Sequence, residues 1–109
     1  MPFPVGSLVV AHLVNPSEKL WGVLEELAPA GVTMRAMNLG SFEDWSLELA
    51  REGRSGLALA TMFVPLHRVE RIFLDERVGD VESFAERFSR RVGRPVADVL
   101  SEHGSAERS

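Results

Sequence analysis

The chain has 109 residues, 45% of them hydrophobic and 26% charged, with a net charge of −4. This composition belongs to a folded globular domain with room for one core. The absence of cysteine excludes disulfides, thiolate metal sites and cysteine nucleophiles, and it favours a reducing, cytoplasmic setting. The acidic balance argues against indiscriminate nucleic-acid binding, which depends on excess Lys and Arg.

The start, from Met1 to Gly6, has no basic n-region and no long apolar stretch, so no signal peptide is expected. No apolar run approaches the roughly 20 residues of a membrane span. Ser7 to Val14 (SLVVAHLV) is short, β-branched and nearly continuously apolar, which predicts a well-buried strand. Asn15-Pro16-Ser17-Glu18 breaks it as a turn.

Lys19 to Leu27 (KLWGVLEEL) contains good helix formers, but Gly22 in its middle suits a sharply bent strand better. Ala28-Pro29-Ala30-Gly31 predicts a turn and Val32 to Leu39 a third strand. Val32, Met34 and Ala36 form one face of that strand, and Thr33, Arg35 and Met37 form the other.

Ser41 is then a candidate helix cap with Asp44 near the positive end, and Phe42, Trp45 and Leu49 follow at helical spacing. A short helix over 42–52 is expected. Leu57 to Val64 (LALATMFV) predicts a fourth strand. Pro65 to Arg68 interrupts it with one tight helical turn, and Val69 to Asp75 (VERIFLD) resumes as a fifth.

The C-terminal part reads as helix. Asp80 is a candidate N-cap, with Val81, Phe84, Ala85, Phe88 and Val92 on one face and Gly93 as terminator. Pro95 suits the first turn of a last helix edged by Val96, Val99 and Leu100. The organisation expected is a β domain over residues 1–78, a helical extension over 79–103 and a disordered tail over 104–109.

Five short strands, a tight turn after the fourth and a peripheral helix resemble the bacterial Sm-like proteins. Val9 to Leu39, with Gly22 in the bent second strand, is similar to their first conserved block. Thr61 to Ile72 (TMFVPLHRVERI) is similar to their second. The resemblance covers roughly residues 7–75 and implies a mostly β fold: a five-stranded, strongly bent Sm/SH3-like barrel with a C-terminal helical tail. It also implies ring-like or edge-to-edge homo-oligomers. The RNA-binding members carry Asp and Asn between strands two and three, and an Arg- or Lys-Gly pair between strands four and five. Here those loops read Leu27-Ala28-Pro29-Ala30-Gly31 and Val64-Pro65-Leu66-His67-Arg68, so the resemblance carries no RNA contact onto a residue of this chain.

Chemistry-bearing clusters are sparse. His12, His67 and His103 are the only histidines, and His67-Arg68-Val69-Glu70 falls on a turn rather than a metal-binding helix. Glu25 and Glu26 are neighbours in a strand and are expected on opposite faces. No nucleophile elbow, phosphate loop or dinucleotide signature occurs, so neither a cofactor nor an enzymatic activity is expected.

Arg87, Arg90, Arg91 and Arg94 are interleaved with Glu82, Glu86 and Asp98, the pattern of a solvated helix face. Arg35, Arg68 and Arg71 are expected to line an anion-binding rim or to pair with Glu43, Glu70 and Asp75. Trp21, Arg35, His67 and Arg68 are the candidate ligand or RNA contacts, and Phe84 and Phe88 the candidate oligomer contact. The reading that follows is a non-enzymatic, oligomeric small-barrel module that binds a protein partner or its own copies, with a single-stranded RNA-binding Sm-like protein as the alternative.

Overall fold

The computed structural model describes residues 3 to 101. Its elements run β1 (Leu8–Leu13), β2 (Glu18–Ala28), β3 (Gly31–Asn38), α1 (Leu39–Glu52), β4 (Ala60–Pro65), a 3-10 turn (Leu66–Arg68), β5 (Val69–Leu74) and α2 (Phe84–Val92). A further helical segment begins at residue 96. The chain divides into a sheet unit, residues up to 42 with 59–75, and a helical unit, residues 43–58 with those from 76 on. The expected tail over 104–109, the end of the 79–103 extension and His103 lie outside the described residues.

The sheet unit is one antiparallel sheet in the order β4-β3-β2-β1-β5. The expected closed barrel is corrected to an open sheet, because β4 and β5 are its two edges rather than a pair. A physical reason lies at the junction. Pro65 ends β4 with no amide to donate, and the chain coils at once into the 3-10 turn before β5 begins.

One face is the core. Val9, Ala11, Leu13, Leu20, Leu24, Val32, Met34, Ala36 and Val64 pack together there, and each fully buried large side chain is worth about 1.5–3 kcal/mol relative to exposure. The opposite face is also largely covered at its centre, where Val10, Trp21 and Met37 are in register and buried. Burial on both faces explains why β1 reads as a continuous apolar run rather than an alternating one.

Gly22 sits opposite Ala36, where a Cβ would overlap the Arg35 carbonyl oxygen and approach the Ala36 Cα to 2.6 Å. The two backbones are therefore too close for any side chain. Glu25 is the extra residue of a β2 bulge, since Leu24 pairs with Met34 and Glu26 with Thr33. A bulge interrupts strict alternation and bends the strand, so the opposite-face expectation for Glu25 and Glu26 does not apply. A second irregularity leaves Glu70 unpaired between His12↔Arg71 and Leu13↔Val69.

Element ends shift where local hydrogen bonds compete. Helix α1 starts at Leu39, so Ser41 lies inside it and does not cap it. Asn38, the last residue of β3, holds the preceding extended position, which suits an Asn. Strand β4 starts at Ala60, three residues later than expected. The same register would set Leu57 opposite Leu39, where β3 has already given way to α1, and the Ser55 hydroxyl accepts the Leu57 N–H at 3.1 Å in a local turn instead.

In the helical unit the cap of α2 is Ser83, not Asp80. Its hydroxyl accepts from the Glu86 N–H at 3.0 Å while the Glu86 carboxylate accepts from the Ser83 N–H at 2.9 Å, a reciprocal capping box. Val81 therefore precedes the helix and is 69% exposed. Gly93 terminates α2 in the left-handed region at φ 82°, which glycine adopts without strain. Phe88, Val96, Val99 and Leu100 are buried as their spacing predicts, and the Phe88 ring lies 4.8 Å from that of Trp45.

Candidate functional site

The four candidate ligand contacts do not converge. Trp21 is fully buried. Its indole N–H donates to the Asp75 carboxylate at 3.0 Å, and its ring lies 4.8 Å from that of Phe42. A base therefore has no open face of Trp21 on which to stack. Arg35 donates from Nε to Glu25 Oε1 at 3.0 Å, so the bulge sets one carboxylate against one guanidinium.

Arg68 fastens the β1–β2 turn. Its Nε donates to the Val14 carbonyl at 3.1 Å, and its Nη2 donates to the Pro16 carbonyl at 2.8 Å and to Glu18 at 2.7 Å. Three acceptors on one turn are the work of a structural anchor. His67, one residue earlier, is exposed. The partners expected for these arginines are corrected accordingly: Arg35 takes Glu25 and Arg68 takes Glu18, while only Arg71 keeps Glu70, at 3.6 Å.

The candidate oligomer stripe also divides. Phe88 is fully buried, whereas Phe84 is half-buried beneath the Arg87 guanidinium, which lies 5.1 Å from its ring centre. The arginines of α2 are not simply solvated. Arg87 and Arg91 both grip Glu43 of α1, at 2.8 and 2.6 Å, and Arg91 also donates to Ser46 at 3.0 Å. Burial raises the Glu43 pKa, but the bonds from Arg91 and Arg87 outweigh it and hold it below the ordinary value. Arg90 pairs with Glu82 and Arg77 with Glu86.

What remains open is the rim of the sheet. Both edges carry an exposed aromatic, Phe63 at 54% on β4 and Phe73 at 40% on β5. The Leu66 N–H bonds to the Ala30 carbonyl. Counting back by twos from that bonded pair turns the amides of Thr61 and Phe63 away from β3, toward the open side. The Asp75 N–H bonds to the Leu8 carbonyl, which by the same count turns the amides of Ile72 and Leu74 outward on β5. The Phe63 ring lies across Gly31, where a Cβ would meet its Cζ at 2.7 Å.

Two further polar features belong to the sheet unit. A shallow depression of about 440 Å³ is lined by Ser17, Glu18, Lys19, Asn38, Leu39 and Gly40. On the face opposite the core, His12 is paired with Lys19 on one side and Arg71 on the other. Burial first, then the charges of Lys19 and Arg71, hold its pKa below 6.5, with Glu70 acting in the opposite sense. Among the described residues no three His, Asp or Glu side chains are placed to hold a metal ion, and no helix is long and apolar enough to cross a membrane.

No protein-family model matches this sequence, and neither a curated protein nor a solved structure matches it.

Sequence reasoning missed the Glu43 clamp and the exposed edge aromatics. Strand patterning did place Phe63 and Phe73 in strands. Nothing local distinguishes an edge strand from a central one, because that difference is made by pairing partners far away in sequence.

Proposed function

We propose that this chain is a non-enzymatic interaction module that associates with copies of itself through the outer strands of its sheet. The observation that carries the reading is the pair of unsatisfied edges: β4 and β5 each present outward amides and an exposed phenylalanine. An exposed edge templates pairing with another chain unless it is blocked. Neither β4 nor β5 has a lysine, and the only proline is Pro65 at the end of β4. The two edges differ in sequence, so β4 of one copy meeting β5 of the next makes a heterologous contact, which closes into a ring or runs on as a filament.

The sequence resemblance to Sm-like proteins adds only the tight turn between β4 and β5 and the glycine in β2, because the closed barrel it implies gives way to an open sheet. The RNA-binding alternative draws less support, since Trp21 is buried and the loop residues of the RNA-binding members are replaced. Light scattering on chromatographed protein at high micromolar concentration tests the proposal. Multimeric mass supports it, and a strict monomer refutes it.

A further inference from the structure

The pairing register places three cationic or ionisable side chains in one cross-strand row. His12 on β1 is directly opposite Lys19 on β2 and directly opposite Arg71 on β5. Directly paired residues share a face. Val9, Ala11 and Leu13 alternate into the core, so His12, Lys19 and Arg71 all lie on the opposite side of the sheet.

The dimensions suit a small anion. Paired Cα atoms of antiparallel strands are about 4.5–5.5 Å apart, so Lys19 and Arg71 start about 9–11 Å apart with His12 midway. Both outer side chains are exposed and long enough to reach over the imidazole. The imidazole itself is held in place, since Phe73 meets it edge-on with ring centres 5.1 Å apart and planes at 79°.

Lys19 and Arg71 bring two positive charges to either side of the imidazole, with the Glu70 carboxylate beside Arg71. Elsewhere in the sheet unit the cations are neutralised closely, Arg35 by Glu25 at 3.0 Å and Arg68 by Glu18 at 2.7 Å. Among the described residues Lys19 has no carboxylate partner, and Arg71 has only Glu70 at 3.6 Å, with both side chains about half exposed or more. The groups facing His12 are thus Lys19 from β2 and Arg71 and Glu70 from β5.

We propose that Lys19, His12 and Arg71 form an oxyanion site that takes the phosphate group of a small molecule. Lys19 and Arg71 flank the phosphate as donors, and His12 donates from beneath it once protonated. Arginine supplies a planar fork matched to phosphate oxygens, and lysine a compact point charge. The site stands independently of the self-association reading, because two of its three residues lie on central strands.

The test follows the ring resonances of His12 by NMR through a pH titration, with and without inorganic phosphate, and with sodium chloride at matched ionic strength as control. Exposed His67 serves as an internal reference. Phosphate is expected to shift the His12 titration upward, saturably, and to leave His67 where chloride leaves it. By linkage, phosphate then binds the protonated form more tightly by the factor that the shift measures. Lys19→Gln and Arg71→Gln, both at exposed positions, are each expected to weaken or abolish the response while the backbone spectrum is retained. Equal shifts at His12 and His67, no shift beyond chloride, or an undiminished response in both variants would each overturn the proposal.

Discussion

The indole N–H of Trp21 donates to the carboxylate of Asp75 at 3.0 Å, joining the middle of β2 to the residue that follows β5, 54 positions later. Trp21 is fully buried, so this bond satisfies a donor that water cannot reach. Removing the acceptor strands that donor. Asp75→Ala is expected to cost about 1–3 kcal/mol in denaturant unfolding, the penalty of an unpaired buried polar group. Asp75→Asn, which keeps an oxygen in place, should lose much less. Equal losses in the two variants would show that the hydrogen bond is not what matters.

Two glycines provide an internal contrast. Gly22→Ala would push a methyl group into the Arg35 carbonyl and the Ala36 backbone, and backbone cannot yield as a side-chain tip can. The expected loss is about 3 kcal/mol or more, with misfolding a plausible extreme. Gly40→Ala meets nothing within 4 Å, in the first turn of α1. It is expected to stabilise by about 0.5 kcal/mol through reduced freedom of the unfolded chain. Thermal unfolding of both variants checks the pair.

The Glu43 clamp predicts a pH dependence. The folded pKa of Glu43 lies below its ordinary 4.5 because the bonds from Arg91 and Arg87 overcome the upward push of burial. A depressed carboxylate contributes stability that is fully present above 4.5 and is lost as pH falls through the folded value. Its side chain is 36% exposed, so screening limits the contribution to about 1 kcal/mol. Glu43→Gln should therefore lower stability at neutral pH and flatten the decline below pH 4.5. A parallel decline in wild type and variant would assign the acid sensitivity to other carboxylates, Glu82 and Glu86 among them.

Helix α2 tests the capping assignment. Ser83→Ala removes the hydroxyl that accepts the Glu86 N–H and is expected to cost about 1 kcal/mol. Asp80→Ala, three residues before the cap, should cost little. The reverse ranking in chemical denaturation would place the helix start at Asp80.

The strands were legible because short β-branched runs bounded by Asn, Pro and Gly leave few alternatives. Even Lys19 to Leu27, rich in helix formers, reads as strand once Gly22 is weighed. The α2 cap was legible in principle, since Ser83 has a Glu three residues on and Asp80 does not. The start of α1 at Asn38-Leu39 was masked by Ser41, an equally good capping type. Other features have no local signature. Arg87 and Arg91 reach Glu43 across 44 and 48 residues, and the burial of Trp21 depends on Phe42 and Asp75. Pro65 and the turn after it were legible as the break between β4 and β5, but that these two strands are the edges of the sheet shows only in the long-range strand order.

The self-association reading faces its most direct test in a proline scan of one edge read by sedimentation. The Thr61 amide points away from β3, so Thr61→Pro removes a donor from the open side and spares the internal ladder. Wild type is expected to sediment as a multimer of the 12.0 kDa chain, and Thr61→Pro as a folded monomer with unchanged circular dichroism. A wild-type protein that stays at 12.0 kDa at high micromolar concentration, or a multimer that Thr61→Pro leaves intact, would contradict assembly through the strand edges.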